Sequence, residues 1–133
     1  MTSIEAAYKR MRIRRRLMTE ENDDDDEKSF FMSNIEQETL ENKEFRKVLF
    51  TGPDLQLVLM SLYPGQEIGE EVHEKSDQFF RVESGLANFI VGPESFEGSD
   101  GNAVIVPKGT KHNVLSIGDE PLKLYVIYSH TEH

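Results

Sequence analysis

From residue 45 onward, short runs of apolar and β-branched residues follow one another along the chain. The runs are FRKVLFT, LQLVLMSL, QFFRVES, ANFIV, AVIV, HNVLSI and LKLYVIY, which begin at residues 45, 55, 78, 87, 103, 112 and 122. Turn signals such as Pro64–Gly65 and Gly118–Asp119 separate them, because Gly admits positive φ and Pro presets the first turn position. No helical pattern interrupts the runs. Regular short strands of this kind predict an all-β antiparallel sandwich or barrel rather than a βαβ fold.

The run from Leu55 to Leu62 is apolar at nearly every position, so it lacks the alternation of a strand with one wet face. A strand that is covered on both sides has this pattern, and a second subunit is one source of such cover. The pattern therefore favours a homodimer.

Two short stretches carry residue types that bind metal ions. Glu71 and His73 are separated by one residue, so in an extended strand their side chains leave from the same face. Gln78 and His112 are further donors that would complete the set. A His pair with a carboxylate suits divalent transition metals such as Mn, Fe, Co, Ni or Zn, and an amide oxygen is a weaker neutral donor. These four residues predict a site for one such ion.

The spacing of these residues resembles the two motifs of the cupin superfamily. The first family motif reads Gly, five residues, His-x-His, three or four residues, Glu, six residues, Gly. His73 and Gly85 match it here, with Glu71 at the first His and Gln78 at the Glu. The second motif reads Gly, five residues, Pro-x-Gly, two residues, His, three residues, Asn. It is matched by Gly101, Pro107, Gly109 and His112, while Ser116 stands in place of the Asn.

Asp77 is an alternative carboxylate in the first motif. The six-residue gap before Gly85 selects Gln78 instead, and Gln78 also shares a strand face with Phe80.

The run IGEEVHEKSDQFFRVESG, with VIVPKGTKHNV and PLKLYVIYS, is similar to small single-domain cupins of the mannose-6-phosphate isomerase-like group. This resemblance covers about residues 34–133 and implies a cupin-type double-stranded β-helix, a jelly-roll barrel.

The beginning of the chain differs in kind from the rest. Residues 1–18 hold one acidic and six basic residues, and their apolar positions recur at helical spacing. The acidic run Glu20–Glu27 that follows is too charged to fold alone. We therefore expect residues 1–31 to be a charged, mostly disordered or partly helical extension, and residues 32–133 to be the cupin β-barrel domain.

Net charge and amino-acid composition limit the kinds of partner that we expect for this protein. The chain has 15 basic and 25 acidic residues, a net charge of −10, so its body repels phosphate backbones. Only the basic residues 9–16 are candidates for contact with nucleic acid or a membrane. We favour the interpretation that they belong to a solvated tail. With no cysteine, no transmembrane run and no signal-peptide core, the expected location is intracellular and cytoplasmic.

Three functional classes remain open. In the first, the metal serves an enzyme, either an isomerase acting on a sugar phosphate, as the mannose-6-phosphate isomerase-like group implies, or a dioxygenase if the ion is iron. In the second, the barrel binds or senses a small polar metabolite without turnover. In the third, the cupin is a dimeric platform for the charged extension. One fold hosts many chemistries, so no catalytic acid or base is assigned. His130 and His133 near the chain end are expected to be solvent-exposed.

Overall fold

A computed structural model describes residues 30–130 of the chain. The chain divides into two units, residues 1–34 and 35–133. The predicted basic helix and acidic spacer lie outside the described residues, as does His133. The predicted boundary between residues 31 and 32 stays a prediction. Across the described residues, no helix has the length and apolarity that a membrane crossing requires.

The described part of the second unit contains one short helix, α1, and eight strands. They are α1 Ile35–Glu41, β1 Arg46–Thr51, β2 Gln56–Leu62, β3 Gln78–Ser84, β4 Ala87–Val91, β5 Glu94–Gly98, β6 Ala103–Val106, β7 His112–Ser116 and β8 Leu122–Tyr128. All seven apolar runs form strands. Strand β5, with sequence ESFEG, has no run of its own in the sequence pattern, because only one of its residues is apolar.

The strands form two antiparallel sheets. One sheet has the order β1-β2-β8-β3-β6, and the other has the order β5-β4-β7. Two isolated antiparallel bridges, Glu67 with Leu115 and Glu71 with His112, add the segment before β3 to the free side of β7. The predicted all-β jelly-roll architecture is confirmed.

The inner faces of the two sheets change character along the strands. In one row of the five-stranded sheet, Gln56 pairs with Tyr128, and Tyr128 pairs with Gln78. Six residues further along β2 and β8, Leu62 pairs with Leu122, and both are fully buried. The polar end of the interior is defined here by Gln56, Gln78, His112 and Tyr128, and the apolar end by Leu62, Val82, Ala87 and Leu122.

The outer face of the five-stranded sheet is partly covered by the chain itself. Helix α1 packs on β2, β3 and β8. The Lys123 ammonium on that face donates hydrogen bonds to the Asn42 carbonyl, just beyond the end of α1, and to Ser61 Oγ on β2. Part of the double burial that the β2 sequence indicates therefore comes from α1. The homodimer stays a prediction.

A buried carboxylate also lies on this outer face. Glu83 follows a shift in the β3–β8 register, and its Oε1 lies 3.5 Å from an Arg81 nitrogen. Burial raises the pKa of Glu83 above its usual value of 4.5, and the nearby Arg81 charge only partly opposes this rise. The ionised carboxylate is therefore less well stabilised here than in water.

Gly85 is the last residue of the first motif, and the backbone turns there in close contact with Pro121 and Leu122. Its φ is +92°, in the region that side chains rarely adopt. A Cβ at this position would lie 2.6 Å from the Pro121 carbonyl oxygen and 2.8 Å from Leu122 Cα. Gly85 is thus a structural residue of the apolar end.

Candidate functional site

A cavity of about 270 Å³ lies between the sheets and extends from the polar end of the interior toward edge strand β1. It is lined by four predicted donor residues together with six others. The lining residues are Phe45, Arg46, Met60, Ile68, Glu71, His73, Gln78, Phe80, His112 and Tyr128. The structure therefore brings Glu71, His73, Gln78 and His112 to one cavity. Their assignment as metal ligands stays a prediction.

Gln78 reaches the cavity because it is the first residue of β3 and points inward. Its side chain is 2% exposed, and the amide oxygen Oε1 is buried without a hydrogen-bond partner. The preceding residue, Asp77, points outward and is exposed. Its carboxylate accepts a hydrogen bond from the Lys108 backbone N–H at 2.9 Å. Of the two alternatives in the sequence, Gln78 is the one that faces the cavity.

His112 is held by the backbone on two sides. Its N–H and C=O both bond to those of Glu71, at 3.0 and 2.9 Å, which joins the two sequence motifs directly. Its ring Nδ1 lies 2.8 Å from the Thr110 carbonyl oxygen. A carbonyl only accepts, so Nδ1 carries the proton, and Nε2 of the neutral ring keeps its lone pair. Metal-binding imidazoles commonly have this type of carbonyl partner behind them.

Glu71 and His73 meet side chain to side chain. Glu71 Oε2 lies 2.7 Å from His73 Nε2, and both residues are half-buried. Residues 71–73 are not a continuous strand, because Glu71 forms an isolated β-bridge while His73 lies in the loop before β3. The His73 ring is nevertheless close to its neighbours, with centroids 5.7 Å from the His112 ring and 5.5 Å from the Tyr128 ring.

The four residues are of donor types that suit a metal ion, and all four line one cavity. One contact among them competes with an ion. Within residues 30–130, no group of three or more His, Cys, Asp or Glu side chains has a metal-binding arrangement as it stands. The Glu71–His73 hydrogen bond contributes to this, since it uses one carboxylate oxygen and the His73 Nε2. The unsatisfied Gln78 Oε1 and the oriented His112 ring are the observations that favour an ion. Binding would have to replace the Glu71–His73 contact.

Several residues that line the cavity belong to neither sequence motif. Tyr128 has the pattern of an ordinary core aromatic, and Arg46 is one charge in the mixed run FRKVLFT. Alternation along β1 could have placed Arg46 on the inner face, but a register irregularity between Val48 and Phe50 obscures the pattern. His130 is exposed, as expected.

Comparison with known proteins gives a consistent family assignment. A family model described as "Cupin domain" matches residues 58–128. The uncharacterized protein YrkC of Bacillus subtilis is 42% identical over 109 residues, which are 77% of this chain and 59% of YrkC. The uncharacterized protein L612 of Acanthamoeba polyphaga mimivirus is 38% identical over 107 residues, 77% of this chain and 67% of L612. The chain thus spans less than two thirds of the Bacillus relative.

Solved structures agree with the fold. The crystal structure of BH2720 from Bacillus halodurans superposes with a TM-score of 0.78 at 43% sequence identity, and the match covers 79% of this chain and 84% of that one. The crystal structure of TT1209 from Thermus thermophilus gives a TM-score of 0.67 at 25% identity, over 76% of this chain and 98% of that one.

Proposed function

The chain belongs to the cupin domain family, and on that premise we propose that it binds one divalent transition-metal ion together with a small polar ligand. Glu71, His73, Gln78 and His112 would hold the ion. Manganese, iron, cobalt, nickel and zinc all suit two imidazoles, a carboxylate and an amide oxygen.

The observation that carries the proposal is the buried oxygen of Gln78. Among residues 30–130, four buried side-chain atoms lack a hydrogen-bond partner, and only Gln78 Oε1 belongs to a residue that lines the cavity. Leaving such a group unsatisfied costs roughly 1–3 kcal/mol. A protein tolerates that cost where a ligand supplies the missing partner, and a cation is a natural partner for an amide oxygen.

The other three residues complete a donor set of mixed charge. His112 is oriented by the Thr110 carbonyl before any ion arrives, so little ring motion has to be restricted on binding. Glu71 supplies the negative charge, and in the absence of an ion it accepts the hydrogen bond from His73 when that Nε2 is protonated. A bound ion would supply Lewis acidity, or redox chemistry if it is iron.

The cavity beside this donor set limits the size and chemistry of the small polar ligand. About 270 Å³ accommodates a small metabolite, and the lining combines Tyr128, His73 and Arg46 with apolar side chains. A sugar-phosphate isomerase of the mannose-6-phosphate isomerase-like type and a metal-dependent dioxygenase are the enzymatic forms of this proposal. A binding or sensing protein is its non-catalytic form. Turnover by the metal-loaded protein separates the enzymatic forms from the last.

Metal analysis of protein purified without added metal or chelator tests the proposal. We expect near-stoichiometric metal in the wild type and loss of that metal in His112→Ala and His73→Ala, since each variant removes a nitrogen donor. Gln78→Ala should weaken binding less, because the amide is neutral. His130→Ala is the matched control, since it removes an exposed histidine outside the cavity lining.

The fold should survive these substitutions, as strand pairing rather than the ion supplies most of the stability. Circular dichroism of each variant therefore accompanies the metal analysis. Equal metal occupancy in wild type and His112→Ala, both folded, would reject the proposed site. Equal loss in His130→Ala would show that the bound metal is nonspecific.

A further inference from the structure

Arg46 occupies an unusual place for a cation. It pairs with Met60 across β1 and β2, Met60 pairs with Leu124, and Leu124 pairs with Val82. This row lies on the inner face of the five-stranded sheet, and its other three members are buried and apolar. β1 is an edge strand of this sheet, so Arg46 ends the row beside the cavity, where it is itself exposed.

Arg46 has no partner among the described residues that explains this placement. Its side chain makes no ion pair or hydrogen bond with any other residue in the range 30–130. Glu71, the carboxylate that lines the same cavity, contacts His73 instead. Arg81, by comparison, lies next to Glu83 on the outer face. The cavity is therefore bordered by a guanidinium whose donors are not used within the described chain.

We propose that Arg46 binds the anionic group of the ligand, a carboxylate or a phosphate. This inference rests on the proposed function, because it assigns the ligand class of the same cavity. A guanidinium presents five donors in a planar fork that matches two oxygens of either anion. A ligand with hydroxyl groups alone could accept hydrogen bonds from this guanidinium but would not neutralise its charge.

Charge balance supports an anionic ligand. Among the described residues that line the cavity, Glu71 is the one acidic side chain, while the chain as a whole carries a net charge of −10. A divalent ion with a single carboxylate among its ligands leaves the site positive. Arg46 adds to that charge, so the cavity would attract an anion against the repulsion of the surrounding surface.

Titration calorimetry at constant ionic strength tests the proposal with three probes, namely inorganic phosphate, succinate and the neutral sugar mannose. The full-length protein is used as purified, and its metal content is measured in parallel. Arg46→Met removes the charge and keeps an unbranched side chain. Lys47→Met is the matched control, because it removes the same charge from the next residue of β1, on the opposite face.

We expect the wild type to bind phosphate or succinate more tightly than mannose, and the preferred probe identifies the anion. Arg46→Met should weaken that binding about tenfold or more, as the loss of a charge-assisted contact predicts. Arg46→Lys should restore part of it, since the charge returns without the fork. Lys47→Met should bind like the wild type, and metal content should not change in any of these variants.

Three results would overturn the assignment. They are the absence of anion binding by the wild type, unchanged binding by Arg46→Met, and an equal loss in Arg46→Met and Lys47→Met. The last would mean that general surface charge is responsible. Arg46-dependent anion binding by a protein that holds no metal would leave this inference standing and reject the metal site, so the two failures are distinguishable.

Discussion

The polar and apolar ends of the interior share strands β2, β3 and β8 and yet bury different chemistry. At the apolar end, Leu62 and Leu122 are cross-strand neighbours on β2 and β8 with no solvent exposure. Gly85 allows the backbone to approach Leu122 closely. At the polar end, Gln78 and His112 are almost as deeply buried, but Gln78 keeps an unsatisfied oxygen toward the cavity.

The difference separates stability from binding. Residues of the apolar end fill space and exclude water, which is the main source of stability in a small domain. At the polar end, Gln56 and Gln78 each keep an amide oxygen without a hydrogen-bond partner, which lowers stability, and Gln78 is also a residue that lines the cavity. Substitutions at the two ends should therefore affect different measurements.

The largest expected effect is at the apolar end. Leu122→Ala should lower the free energy of unfolding by about 2–5 kcal/mol, because it leaves a cavity in a fully buried position. Urea denaturation measures the loss. Metal content per folded molecule should match the wild type, and a folded Leu122→Ala protein without metal would show that the two ends are not independent.

A smaller effect of opposite sign is expected at the polar end. Gln78→Met keeps an unbranched side chain and removes the unsatisfied oxygen, so it should raise the metal-free stability by roughly 1 kcal/mol while weakening metal binding. Thermal unfolding with and without chelator tests both parts. If Gln78→Met destabilises the metal-free protein, Gln78 is an ordinary structural residue and the contrast between the ends is lost.

The smallest effect concerns Glu83, on the outer face. Its raised pKa means that Glu83 contributes stability below the usual carboxyl value of 4.5 and that this contribution is lost as pH rises through the folded-state value. Glu83→Gln should therefore be more stable than the wild type at pH 7, by less than about 1 kcal/mol.

Stability of the two proteins measured between pH 4 and pH 7 checks the direction for Glu83. The difference should shrink as the pH falls, and bound metal at pH 7 should be equal in both. A Glu83→Gln protein that is less stable at pH 7 would mean that the contact with Arg81 outweighs the cost of burial.

Much of the fold could be predicted from the sequence because alternation reports directly on burial. In β3, Gln78, Phe80 and Val82 share the buried face, as the period of two predicts. Strand β5 could not be found this way, since it pairs with β4 through its backbone while its side chains are mostly polar and exposed. Helix α1 is short, and its cover of the sheet depends on tertiary packing.

Part of the candidate site could likewise be predicted from the sequence, and part of it could not. Family spacing singled out Glu71, His73, Gln78 and His112, and all four line one cavity. Arg46 was missed because its face depends on a strand with an irregular register, which periodicity alone does not reveal. The Glu71–His73 hydrogen bond was also beyond prediction, because it arises from loop geometry rather than from strand alternation.

The Thr110 carbonyl that orients His112 has a consequence for mutational scanning. A main-chain oxygen is common to all twenty residue types, so replacing the Thr110 side chain leaves the acceptor in place. A scan would then score position 110 as tolerant, although its backbone sets the tautomer of a proposed ligand. Only a change to the peptide group itself, such as replacing the amide that contains the Thr110 carbonyl by an ester with a weaker acceptor oxygen, would reveal how much the ring depends on it.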